Sequence, residues 1–289
     1  MKNTPIIFGL LLLAAGCGSP SKDAEAKKSD IPSDADKDSP TNVKVGEKIT
    51  PAVVLEPKTP PKAGFLMRLN PPVGKVQKYK LTNDLSLVYD KKGLPAGYKD
   101  KQRVLLTATF EVVPQKSDAG TIEFKMTSSP ISVTQDGKAS AFGATECLVN
   151  VDERCRVVTA FTDPISAMLG LGFVPFPENQ VLPGASWRVE GSRDVPGFAQ
   201  VKTGVPTKMQ MTEVYKFMSG SKTQAWTIAS KATAKNVPIS SQGTYRFDPA
   251  TGMLIGAEVV QNAEMDIPAG DNGKTVHAKA RVFVKVERI

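Results

Sequence analysis

The chain has 289 residues, 40% hydrophobic and 23% charged, with a formal net charge of +8. This is a globular composition with enough chain to bury a core. A single His and three Cys exclude a clustered zinc site, and the cations lack the compact, aromatic-interleaved runs of nucleic-acid binders.

Lys2 and the free amino terminus give a positive start, and Ile6 to Ala15 is apolar apart from Gly9. Small residues end the run at Gly16 and Cys17, and charge returns at Lys22. This pattern predicts a secretory signal. It is too short for a spanning helix, which needs about 20 apolar residues. Leu13-Ala14-Ala15-Gly16-Cys17 resembles the lipobox of bacterial lipoproteins, with Leu13 one place earlier than the usual Leu. The resemblance implies a signal peptide over 1–16, cleavage before Cys17, and acyl chains on Cys17 that anchor the chain to a membrane. Gly18 in place of Asp implies the outer membrane, within a two-membrane envelope. Residues 17–62 are rich in Ser, Asp, Lys and Pro. They read as a lipidated Cys and disordered tether, leaving 63–289 as a single β-rich domain.

Period-two alternation dominates beyond the tether. Tyr79, Leu81, Leu85, Leu87 and Tyr89 share one face of a strand whose other face is Lys78, Lys80, Thr82, Asp84 and Ser86. RVLLTATFEVV from Arg103 and TIEFKMT from Thr121 repeat the pattern, and the last strand places Val276, Ala278, Ala280, Val282, Val284 and Val286 on one side. Turn signals at 117–120, 135–137, 219–222, 248–252 and 270–273 join such runs into an antiparallel meander. One helix is predicted, capped by Asp163 and opened by Pro164, with Ile165, Met168 and Leu169 on its apolar side. An apolar loop follows through Leu171, Phe173, Val174 and Phe176. The expected fold is all-β and mainly antiparallel: a curved sheet, half-barrel or sandwich, covered by one short helix and an apolar loop.

With Cys17 lipidated, Cys147 and Cys155 remain as an even pair in an exported chain, and a disulfide between them is expected. It requires a wide loop centred near Val151, because bonded Cα atoms must lie within about 7 Å. Asp152 in VNVDERCRVV and Asp248 in YRFDPATGML both open a turn between strands, which reads as hairpin chemistry used twice. These two pieces, with FVPFP and LPGASWRV between them, resemble a family of uncharacterised bacterial lipoproteins in which each turn ends in Gly. Here Cys155 stands at the first of those glycines. The family has no assigned activity, so the resemblance implies no functional residue. A looser likeness is to the lipoprotein-carrier fold, where a curved sheet under a helical lid holds acyl chains.

No catalytic constellation is visible. The one His, His277, alternates with Lys279 and Arg281 on a polar face. No Ser or Cys has a sequence-suggested base, and the carboxylates lie singly in turns or on wet faces. No cofactor, metal or nucleic-acid partner is expected. The expectation is a non-enzymatic envelope lipoprotein holding a lipid or other apolar ligand in a concave sheet. Met168, Leu169, Leu171, Phe173 and Phe176 would stand at its mouth, and Met209, Met211, Tyr215 and Phe217 would give one strand a soft apolar face. The alternative is a structural lipoprotein docking onto an envelope protein or an acidic polymer. A hollow sheet favours the first reading and a filled one the second.

Overall fold

The structure is a computed structural model describing residues 53–55, 64–94, 99–116, 120–158, 173–195, 207–235, 238–268 and 275–289. Thirteen strands form one sheet: β1 (Val53–Leu55), β2 (Gln77–Tyr89), β3 (Lys101–Lys116), β4 (Thr121–Ser128), β5 (Ile131–Gln135), β6 (Lys138–Phe142), β7 (Glu146–Asp152), β8 (Ser186–Val195), β9 (Thr207–Ser219), β10 (Trp226–Ala234), β11 (Ile239–Phe247), β12 (Leu254–Pro268) and β13 (Thr275–Arg288). Their order is β1-β8-β9-β10-β11-β12-β13-β2-β3-β4-β7, with the β5–β6 hairpin branching from β3. Every pairing is antiparallel. Among the described residues the only helical element is a 3-10 turn at Lys91–Gly93. The helix predicted from Asp163 lies outside the described residues.

The alternation read from the sequence sets the two faces. On β2 the apolar set from Tyr79 to Tyr89 is buried, and on β13 Val276 to Val286 are buried at every second position. The sheet is open and strongly curved. Two adjacent backbone amides measure the bend: Leu69 N donates to Glu153 O at 2.7 Å and Asn70 N to Thr251 O at 2.8 Å. Consecutive amide nitrogens are less than about 4 Å apart, so these carbonyls lie within roughly 10 Å of each other. In strand order β7 and β12 are five places apart, which in a flat sheet would be about 24 Å. The sheet therefore curls until its β7 end stands near the β11–β12 turn, with residues 64–71 between them as a strap.

Two expectations are corrected. Residues 53–55 form β1 and pair with β8, so the sheet begins inside the segment read as tether. Cys147 and Cys155 are both buried, and no disulfide joins them. The hairpin after β7 is centred on Arg154, with Asp152 paired to Arg156 and Asn150 to Val158. That register places Cys155 across from Glu153, six residues beyond Cys147 and so about 20 Å along the strand. A disulfide spans about 7 Å at most between Cα atoms. Thiol titration of the denatured, unreduced chain is expected to count both cysteines as thiols.

Candidate functional site

The end of the roll where the strap lies is built from four short pieces. Phe65, Met67 and Leu69 alternate inward from the strap, and Phe65 forms a two-way backbone bridge with Val181 at 3.1 Å in each direction. The two Asp-led turns grip the strap from either side. In the first, the Asp152 carboxylate accepts from the amides of Arg154 and Arg156 at 3.0 and 2.9 Å. In the second, Asp248 accepts from the Ala250 amide at 3.0 Å. Both are Asx turns, and both close on a residue with positive φ: Cys155 at 61° and Gly252 at 66°. The apparent repetition in the sequence is therefore two clamps on one strap.

The fourth piece, residues 173–182, crosses the concave face. Two guanidinium groups hold its bend. Arg68 donates to Pro177 O and Glu178 O, each at 2.8 Å, and Arg154 donates to Phe176 O at 3.2 Å. Trp187 Nε1 donates to Pro175 O at 2.8 Å, so the tryptophan of LPGASWRV packs at a strand start as its context predicts. Phe176 is fully buried, edge-on to Trp226 and Phe247 with ring centroids 5.7 and 5.2 Å away. Phe65 packs against Phe217 and Trp226 at 5.3 and 5.8 Å. These aromatics fill the interior under the strap.

Among the described residues a cavity of about 40 Å³ lies between Leu69, Tyr79, Phe124, Cys155, Phe173 and Met253. Pockets for small organic ligands run to roughly 300–1,000 Å³. The cavity is larger than the roughly 10–15 Å³ one water needs and far too small for an acyl chain. Its two titratable groups are inert: burial pushes the Cys155 thiol up, with Asp152 adding to the effect, and burial likewise raises Tyr79, whose hydroxyl donates to Leu254 O at 2.9 Å. A thiol held protonated is neither nucleophile nor metal ligand.

Farther along the roll the inner face turns polar. Cross-strand register sets Glu213, Ala232, Ser241 and Gln261 side by side on β9 to β12. Glu213, Ser241 and Gln261 are half-buried, and Glu213 accepts from the Tyr215 hydroxyl at 2.6 Å. Met211, Tyr215 and Phe217 are buried as the soft-face pattern requires. Glu213 breaks that pattern, because a single out-of-phase carboxylate between apolar neighbours is readable in the sequence only once the strand's inward phase is known.

Of the expected mouth only Phe173 and Phe176 are among the described residues. Met168, Leu169, Leu171 and Cys17 lie outside the described residues. Phe173 lines the cavity, its ring tilted against Phe124 with centroids 5.6 Å apart, whereas Phe176 is a fully buried core residue. Asp152 ends β7 and Glu153 begins the turn that follows it. His277 is exposed between Asp266 and Glu264, at 3.1 and 3.7 Å. Among the described residues no group of His, Cys, Asp and Glu has the geometry to hold a metal ion, and no helix is long and apolar enough to cross a membrane.

No protein-family model matches this chain, and no curated protein matches it. Among solved structures it is similar to lipovitellin, in a structure described as showing lipid-protein interactions, at 12% identity and a TM-score of 0.42 over 75% of this chain. The chain spans a quarter of lipovitellin's length. It is also similar to a mutant of the Rh. blastica porin, at 8% identity and a TM-score of 0.25, over 73% of this chain and all of the porin. At such scores these likenesses carry no argument about function.

Proposed function

We propose that this chain is a lipid-anchored, non-enzymatic protein of the bacterial envelope whose rolled sheet is a self-filled scaffold that docks onto another envelope component through its outer surface. The residues around Cys17 support the anchoring. The observation that carries the scaffold reading is the occupied concave face: the strap and residues 173–182 fill one end, around a cavity of about 40 Å³ among the described residues. The inner row beyond it carries Glu213, Ser241 and Gln261, a lining that would cost an acyl chain the desolvation of a carboxylate.

Photo-crosslinkers placed in cells at outward positions Thr244 and Lys231 are expected to capture an envelope component. Crosslinkers at the inward Ser241 are expected to capture none. Native mass spectra of the purified chain are expected to show no bound apolar molecule. A stoichiometric co-purified lipid, or capture only from the inner position, would replace this reading with the carrier one.

A further inference from the structure

The outer surface of the sheet is divided electrostatically along a strand boundary. From β12 through β3 carboxylates are interleaved with the cations, although Lys80, Lys101 and Arg281 are in no ion pair found among the described residues. Lys285 meets Glu287 and Glu258 at 2.8 and 3.8 Å, Lys279 meets Glu264 at 3.0 Å, Arg103 meets Asp84 at 2.6 Å, and Lys78 meets Glu111 at 2.8 Å. From Met211 of β9 through β11 the outward positions alternate with the buried ones and hold no carboxylate. They hold Lys216, Lys231 and Arg246, all exposed; none of the ion pairs found among the described residues includes them. The other outward positions are hydroxyls, an amide and small apolar groups, plus Val214 and Met218, which are 43% and 49% exposed. On the flanking strand Arg188 is matched by Glu190 at 2.7 Å.

The register spaces the three cations. Lys216 is opposite Ala229, two residues from Lys231 on the same strand, and Arg246 is opposite Thr227. Strand spacing and rise then put their Cα atoms about 8–14 Å apart. That is near the Debye length of roughly 8 Å at physiological salt, so an anionic plane meets them as one positive field. An acidic polymer would need only the charges. Exposed Val214 and Met218 among the charges suit a surface that offers anionic headgroups above an apolar layer. The position of the chain's entry agrees. β1 pairs with β8 and β8 with β9, so the segment leading back to Cys17 joins the sheet beside this face.

We propose that the outer face of β9–β11 lies against an anionic lipid surface, with Lys216, Lys231 and Arg246 on headgroup phosphates and Val214 and Met218 at the interface. This rests on the docking reading above and names the component docked onto. Each cation near an anionic membrane raises affinity about fivefold, so three supply roughly 100-fold.

The test uses the chain from Cys17 onward, made without acyl groups, which contains every described residue. Its sedimentation is measured with vesicles of phosphatidylcholine containing 30% phosphatidylglycerol as a chosen probe composition (about one anionic lipid in three, to mimic an anionic leaflet) and with phosphatidylcholine alone. The wild type is expected to bind the anionic vesicles, to release them in high salt and to ignore the neutral ones. K216E/K231E/R246E is expected to lose roughly 100-fold, while K80E/K101E/R281E, with the same change in net charge on the other half, loses no more than about fivefold. All six positions are exposed, and equal melting temperatures confirm the fold. Equal losses in the two variants, or no binding by the wild type, overturn the proposal. Retention on polyglutamate without vesicle binding makes the occupant an acidic polymer; lipid contact then fails and the docking reading stands. If vesicles and polyglutamate both fail while the cellular crosslinks persist, this face is unassigned and docking survives. If the crosslinks fail as well, both readings fall.

Discussion

Gly252→Ala is expected to be among the most damaging single-methyl changes this chain can take. Gly252 has φ 66°, and a β-carbon there would sit 2.3 Å from Arg68 O and 2.9 Å from Leu69 Cα. The obstacle is backbone, so no side-chain rotation relieves it. The left-handed conformation costs an L-residue about 1–2 kcal/mol. Pushing the strap away also breaks the Leu69–Glu153 and Asn70–Thr251 hydrogen bonds, each contributing about 1 kcal/mol. A total loss of about 3–4 kcal/mol follows. Gly74 is the internal control: its φ is 76°, yet a β-carbon there meets nothing within 4 Å. Gly74→Ala is expected to cost only the conformational part, about 1 kcal/mol. Urea unfolding of the two variants separates clash from strain, and equal costs would show that the strap is not clamped by the second Asp turn.

Phe176→Ala is expected to cost about 3–5 kcal/mol, because it removes a fully buried ring from well-packed surroundings. Its edge-on contacts with Trp226 and Phe247 add to the apolar burial. At about 2–4 °C per kcal/mol for a domain of this size, the melting temperature should fall by roughly 6–20 °C. Phe176→Leu keeps most of the volume and should recover more than half of the loss. A near-neutral Phe176→Ala would mean that residues 173–182 cover the sheet without being part of its core, and would revive the hollow-sheet reading.

How much of the fold is legible in the sequence depends on the length scale of each signal. β2, β3, β4 and β13 announce themselves by alternation over seven or more residues, and their edges fall close to the predicted ones. Hairpin chemistry is local as well: Asp136 and Gly137 take φ values of 46° and 85° in the predicted QDG turn. The strap is not legible. Phe65, Met67 and Leu69 alternate over only five residues, between prolines, and a signal that short cannot be told from tether. Nothing local in VDERC or DPATG says that both turns close on the same segment. The disulfide expectation fails on a similar point, since a three-residue shift in the turn centre, from Val151 to Arg154, decides whether Cys147 and Cys155 can meet. The apolar run through Phe173 and Phe176 stands out in the sequence. Whether such a run frames an opening or plugs one depends on what lies opposite, and Trp226 and Phe247 are contributed by strands far along the chain.

The strap also has a consequence in time. Synthesis proceeds from the amino end, so residues 64–71 emerge among the first of the domain, yet Asn70 waits for Thr251 and β2 waits for β13. Contacts between the first and last elements give the domain a high contact order, and such topologies assemble slowly. Until β13 arrives, β2 presents an unpaired edge to any neighbouring chain. Removing the last strand should therefore leave no smaller stable domain behind.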